Sequence, residues 1–201
     1  MRDADKRNVL VIGDLHEPFC LDDYLSFCID KYYEYMCTEV VFIGDIIDNH
    51  FSSYHETSAD GLGGLTELNL AIERIQRWRN AFPVATVVIG NHDRIIMRKA
   101  QTSSIPSKWI KSYKDVLEVP EWNFVERYEK DDVQYIHGEG GTARTKCRAD
   151  MMNKYRDIYI LKPTVSIMLV RSLEYSDYKL DVVLIINLML WLMQSMEKDQ
   201  L

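Results

Sequence analysis

The stretch VVFIGDIID, from Val40 to Asp48, joins four apolar residues directly to a glycine and two carboxylates. Two further stretches have the same form, namely VLVIGDLH from Val9 to His16 and VATVVIGNHD from Val84 to Asp93. Short apolar runs that end at glycine are typical of buried β-strands. Because ligands bind beyond the carboxyl ends of strands in open α/β sheets, we expect the polar residues of these stretches to meet at one edge.

The segments between these stretches have helical spacing. Apolar residues recur every three or four positions from Leu21 to Met36 and from Leu65 to Phe82, and Pro83 ends the second pattern. The resulting β-α-β-α-β order predicts an α/β fold with a parallel central sheet.

The rest of the chain is less regular. We predict, in chain order, short helices or a cap from Arg94 to Trp122, strands at Phe124-Val125 and Val133 to Ile136 joined by a turn around Lys130, and a basic helix from Ala143 to Tyr155. The apolar run from Leu180 to Met193 is typical of a core or interface helix or, alternatively, forms an exposed apolar patch. We find no internal repeats and no linker that would separate two domains.

The bulk composition fits a soluble globular domain. The chain has 201 residues, 47% hydrophobic and 27% charged, with a formal net charge of −7. That charge argues against broad nonspecific nucleic-acid binding, although it does not exclude a nucleic-acid substrate. The four cysteines show no CxxC spacing, and no signal peptide or membrane span is recognisable. We therefore expect a cytoplasmic protein with reduced thiols and no membrane partner.

The polar residues at the strand ends suit a metal centre. Carboxylate, imidazole and amide oxygen together favour Mn²⁺, with Fe²⁺ or Zn²⁺ as alternatives. A two-metal centre needs one shared ligand and activates a water between the ions. In the assignment that these spacings suggest, Asp14 and His16 bind one ion, Asp45 bridges, and Asn91 and His137 bind the other.

Other residues near these motifs are candidates for catalysis and substrate binding. His92 would protonate the leaving oxygen or stabilise the developing charge, and Asp48 would orient and charge-stabilise His92. His50 is close enough in sequence to touch substrate, or it is a solvated loop histidine. Arg94 would meet a phosphate or pair with a surface acid. The lysines between residues 99 and 114 form a solvated face or, alternatively, a nucleic-acid contact.

The motifs resemble those of the calcineurin-like metallophosphoesterases, which carry Asp-x-His, Gly-Asp-x-x-Asp, Gly-Asn-His-Asp/Glu and a lone histidine in this order. Here they correspond to Asp14-Leu15-His16, Gly44 to Asp48, Gly90 to Asp93, and His137. The resemblance covers residues 9 to about 157. It implies a β-sandwich flanked by helices, two divalent metal ions and hydrolysis of phosphate mono- or diesters. The residues around the motifs also resemble those of small bacterial and phage-borne members. This resemblance implies that the protein is located in a bacterial or phage-infected cell.

The family's last motif, Gly-His-x-His, has no counterpart, because no histidine follows His137. We therefore divide the chain into a phosphoesterase domain, residues 1–157, and an atypical C-terminal tail, residues 158–201. One explanation is a truncated end or a reading frame shifted near Asp157, since the alternative frame permits a histidine close to the expected place.

These observations lead to one principal function and two alternatives. The principal function is metal-dependent hydrolysis of a phosphate ester. The alternatives are a nuclease, with its substrate on the basic stretch after Arg94, and a catalytically impaired relative that binds metal or phosphorylated ligands without turnover.

Overall fold

A computed structural model describes residues 8–54, 56–130 and 133–137 in full, and the backbone of residues 159–161, 169–175 and 178–186. The strands are β1 (Asn8–Gly13), β2 (Glu39–Phe42), β3 (Thr86–Val88), β4 (Asn123–Val125), β5 (Tyr128–Lys130), β6 (Val133–Tyr135), β7 (Tyr159–Leu161), β8 (Leu169–Tyr175) and β9 (Tyr178–Ile186). The α-helices are α1 (Tyr24–Glu34), α2 (Gly64–Ala81), α3 (Ile95–Thr102) and α4 (Tyr113–Leu117), and single 3₁₀ turns lie at His50–Ser52 and Ser107–Trp109.

The larger sheet has the strand order β4-β3-β2-β1-β9-β8. Strands β1 to β4 are all parallel, and β9 is parallel to β1, whereas β8 runs antiparallel at the edge. The predicted parallel core is therefore confirmed. Because β1, β2 and β3 are parallel and adjacent, their carboxyl ends bring the three motifs to the same edge.

The smaller sheet has the order β5-β6-β7. We predicted that the strand at Phe124-Val125 pairs with Val133–Ile136 through a turn, and this is wrong. The first of these, β4, instead lies parallel to β3, and an additional strand, β5, forms the antiparallel partner of β6. The hydroxyl of Tyr128 and the amine of Lys130 donate to the Glu39 carboxylate, at 2.6 and 2.9 Å, and tie β5 to β2.

The two faces of the larger sheet are covered by different layers. On one face, Leu10 and Ile12 of β1 pack with Trp78 of α2 and Trp122 in a cluster that also contains residues of α1 and α4. Val9 and Val11, which alternate with Leu10 and Ile12 along β1, lie on the other face and pack with β6 of the smaller sheet. Burial on both faces explains the uninterrupted apolar strands. The expected mixed α/β sandwich flanked by helices is confirmed.

The predicted helix within Leu180 to Met193 is contradicted by β9, which contains the run from Leu180 to Ile186. Valine and isoleucine dominate this run, and β-branched residues favour a central strand over a helix. The predicted basic helix from Ala143 to Tyr155 lies outside the described residues. Within the part of the chain that is described, no helix is long and apolar enough to cross a membrane.

Candidate metal centre

The loops that follow β1 and β2 are joined by backbone hydrogen bonds. The amides of Asp14 and His16 donate to the carbonyls of Gly44 and Asp45, at 3.2 and 2.9 Å. Asp14, His16 and Asp45 all have positive φ, at 55°, 49° and 53°. Non-glycine residues rarely adopt this left-handed conformation, and such strain concentrates at functional sites. The backbone therefore holds these side chains in place at a conformational cost.

One group of donor atoms consists of Asp14, His16 and Asp45, whose ligand atoms all lie within 4.8 Å of one another. His16 Nε2 faces this group, 3.6 Å from Asp45 Oδ2. The other ring nitrogen, Nδ1, is 2.7 Å from Asp48 Oδ1. A carboxylate on the second nitrogen is the usual way in which proteins orient a metal-binding imidazole.

A second group of donor atoms forms around His137. Its Nδ1 donates to the carbonyl oxygen of Ile43 at 2.7 Å, which directs Nε2 into the site. Nε2 then lies 2.9 Å from Asn91 Oδ1 and 3.0 Å from Asp45 Oδ2. The Asp45 carboxylate is therefore the member common to both groups.

The electrostatics of the site favour cations. Burial raises the pKa of the Asp14 carboxyl. Burial would also raise the pKa of Asp45, but hydrogen bonding to His137 and the charges of the neighbouring imidazoles hold it below its usual value. Burial would lower the pKa of His137, but the hydrogen bond and charge of Asp45 raise it to about 9. The negative charge that stabilises a protonated His137 also attracts a divalent cation, so the donor set fits the metal ions that the resemblance implies.

His92 lies beside both groups. Its backbone amide donates to Asp45 Oδ1 at 2.9 Å, and its ring meets that of His16 edge-on at a centroid distance of 4.7 Å. We expected the Asp48 carboxylate to orient His92. The closer partner of His92 Nδ1 is instead the Asp48 carbonyl oxygen at 2.6 Å, with the carboxylate at 3.5 Å. His16, His92 and Asp48 also place donor atoms within 4.8 Å of one another.

Asp93 lies in the third motif and connects two of the loops, a contact that the sequence did not predict. Its buried carboxylate accepts hydrogen bonds from the backbone amides of Gly90, Asp45, Ile46 and Ile47, at 2.8 to 3.3 Å. Burial and the nearby charge of Asp45 raise its pKa to about 6. The carboxylate thus ties the loop after β3 to the loop after β2. An acid directly after Asn-His at a strand end was the only sequence signal for it.

The two predicted substrate-binding residues lie differently with respect to the site. His50 Nδ1 is 3.8 Å from Asp48 Oδ2, and its backbone amide donates to the buried carboxylate of Glu67. It therefore lies at the rim of the donor groups. Arg94 forms an ion pair with Glu126, which agrees with the second of its two predicted roles, pairing with a surface acid.

Two glycines allow the three loops to approach closely. A Cβ on Gly44 would lie 2.3 Å from His137 Nδ1, and Gly44 also has a φ of 99°. A Cβ on Gly90 would lie 2.2 Å from Asp45 Oδ1 and 2.3 Å from the Asp45 amide nitrogen. All three distances are far shorter than a van der Waals contact. Neither position tolerates a side chain without displacing a predicted ligand.

We expect Gly90→Ala to displace Asp45 and thereby weaken Mn²⁺ binding at least about tenfold, with a loss of about 1–3 kcal/mol in unfolding free energy from overpacking. Gly63→Ala is the matched control, because a Cβ there meets nothing within 4 Å. Calorimetric Mn²⁺ titration and urea unfolding of both variants measure the two effects. Equal metal affinity in the two variants would contradict the proposed geometry.

The comparison with known protein families agrees with this geometry. The calcineurin-like phosphoesterase family matches residues 7–184. The match extends beyond Asp157 and includes β8 and most of β9. No curated protein matches the chain. The family's members are typically hydrolases that use divalent metal ions to cleave phosphoesters. A match over most of the chain, together with the donor groups at the carboxyl edge of the sheet, establishes that the protein belongs to the calcineurin-like phosphoesterase family.

Proposed function

We propose that the protein hydrolyses phosphate mono- or diesters at a centre of two divalent cations, most suitably Mn²⁺. The observation that carries the proposal is the position of Asp45. Its Oδ2 lies 3.6 Å from His16 Nε2 and 3.0 Å from His137 Nε2, between the two groups of donor atoms. A carboxylate in this position is suited to bridge two ions.

Asp14 and His16 would hold one cation, and Asn91 and His137 would hold the other. Asp45 would contribute to the binding of both cations. When bound, the two cations supply positive charge that stabilises a phosphoryl oxygen and lowers the pKa of water. The role of Asp48 follows from its contact with His16 Nδ1 at 2.7 Å, which holds the ring so that Nε2 faces the site. Asp93 would keep the loops in register through its four backbone amides.

His92 would act as the general acid. Its Nδ1 lies 2.6 Å from the Asp48 carbonyl oxygen and must therefore carry the hydrogen. Nε2 is then the atom from which a proton can pass to the leaving ester oxygen. Its ring remains partly exposed, with a side-chain accessibility of 31%, so a substrate can reach it. His50, at the rim, is the better placed of the two predicted substrate contacts.

The absent Gly-His-x-His motif bears directly on activity. In the family's pattern that motif gives one ligand to each metal, and the chain has no histidine after His137. The division into a domain of residues 1–157 and an atypical tail, with its frame-shift explanation, stays a prediction. We propose that the five ligands present retain both cations. The following experiment distinguishes this proposal from the impaired relative.

The test is hydrolysis of an aryl phosphodiester and an aryl phosphomonoester with added Mn²⁺, for the wild type and His92→Ala. We expect metal-dependent turnover of the wild type and a loss of about 10²–10⁴-fold in the variant, the usual contribution of a general acid. Mn²⁺ affinity should be retained, because His92 is not a proposed ligand. A folded wild-type protein that binds Mn²⁺ but hydrolyses neither ester would establish the impaired relative instead.

A further inference from the structure

The segment from residue 94 to residue 114 carries an unusual concentration of positive charge. It has no Asp or Glu, although the whole chain has a net charge of −7. Its basic residues are Arg94, Arg98, Lys99, Lys108, Lys111 and Lys114, of which Arg94 is paired with Glu126. Segregation of one sign of charge on an otherwise acidic protein indicates a local surface for a polyanion.

This segment begins and ends at the candidate metal centre. It starts directly after Asp93, and the hydroxyl of Tyr113 returns to the Asp93 carbonyl oxygen at 3.3 Å. Between these points, the amine of Lys99 lies 3.5 Å from the carbonyl oxygen of Ser53, just after the turn that contains His50. The basic surface is therefore continuous with the rim of the site.

Exposed aromatic rings accompany the charges. Trp109 is 81% exposed and Tyr54 is 55% exposed. The guanidinium of Arg98 lies 5.1 Å and the amine of Lys99 lies 5.4 Å from the centre of the Tyr54 ring. Rings with this much exposure are accessible to a partner from the solvent. A basic track with aromatic rings on which bases stack is how proteins bind single-stranded nucleic acid.

We infer that Tyr54 and residues 94–114 form a stacking platform for single-stranded nucleic acid, which delivers a phosphodiester bond to the metal centre. This inference rests on the proposed function. The reaction would add water to phosphorus and break one P–O bond, with the proton passing to the leaving sugar oxygen. The products are a phosphate monoester and a free hydroxyl group.

The test is fluorescence anisotropy with labelled oligodeoxythymidine and oligouridine, in chelator so that no cleavage occurs. We compare the wild type with Trp109→Ala, Tyr54→Ala and the double variant Lys108→Glu/Lys111→Glu. Tyr33→Ala is the matched control. Tyr33 is 73% exposed near the end of α1, which leads back to the amino end of β2 and so away from the site.

We expect Trp109→Ala and Tyr54→Ala each to weaken oligonucleotide binding on the order of tenfold, as loss of a stacking ring does. The lysine double variant should reduce the magnitude of the slope of log K against log salt concentration by about 1.4. Each neutralised phosphate of a single strand contributes about 0.7 to this slope. Binding of only one oligomer would identify DNA or RNA as the substrate. Comparable losses with Tyr33→Ala, or equally tight binding of heparin and an acidic phosphopeptide, would overturn the inference.

The two proposals fail separately. Wild-type hydrolysis of the aryl phosphodiester with Mn²⁺ reports the proposed function without any need for the platform. Oligonucleotide binding that depends on Trp109, without ester hydrolysis, would support the platform and refute the catalytic proposal. Ester hydrolysis without oligonucleotide binding would support the catalytic proposal and refute the platform.

Discussion

Replacing Asp45 by Asn should lower phosphodiester turnover by about three orders of magnitude, since a shared metal ligand supports several kcal/mol of charge stabilisation and each 1.36 kcal/mol is tenfold in rate. The physical reason is that Oδ2 of Asp45 is close to both His16 Nε2 and His137 Nε2, at 3.6 and 3.0 Å. An amide at this position is neutral and bridges cations poorly. The measurement is aryl phosphodiester hydrolysis at saturating Mn²⁺.

Asp30→Asn is the matched control, because Asp30 is an exposed residue of α1 and the same change in charge is made there. It should leave turnover within twofold of the wild type. A comparable loss in both variants would mean that net charge, rather than the bridging position, governs activity. Retention of turnover in Asp45→Asn would remove the basis of the two-cation proposal.

Replacing Asp93 by Ala should produce a large loss of stability that does not depend on metal. Four buried backbone amides, those of Gly90, Asp45, Ile46 and Ile47, would lose their acceptor. An unsatisfied buried donor costs about 1–3 kcal/mol, so a total of about 4 kcal/mol or more is expected even with partial rearrangement. Urea unfolding in the presence of a chelator measures the effect.

Asp30→Ala serves as its control and should change the unfolding free energy by less than about 0.5 kcal/mol, as is usual at the surface. A loss of less than about 1 kcal/mol in Asp93→Ala would show that water or the rearranged backbone satisfies the four amides. The carboxylate would then have no part in holding the loops together.

The sequence predicted the parallel core correctly because β1, β2 and β3 are buried on both faces. Such strands must be apolar throughout, so the pattern that forms the sheet is visible in the sequence itself. The same stretches predicted which residues share an edge. In the structure, Asp14, His16 and Asp45 lie together and Asn91 and His137 lie next to them.

The misses have a common physical origin, because each depends on contacts between distant residues. The strand β4 pairs with β3 and not with β6. The short sequence Asn123–Val125 does not show which of these strands it will pair with. The strand β9 was mistaken for a helix because short apolar runs have no distinguishing period. Three of the four amides that Asp93 binds lie more than forty residues away in the sequence, as does the His92 ring that contacts the Asp48 carbonyl oxygen. Periodicity carries no information about such contacts.

The most direct measurement is titration of chelator-treated protein with Mn²⁺, followed by calorimetry and electron paramagnetic resonance. We predict two ions per chain and a signal that shows magnetic coupling between them, because one carboxylate, Asp45, lies between the two donor groups. A single ion per chain, or two ions without coupling, would contradict the account of a shared centre.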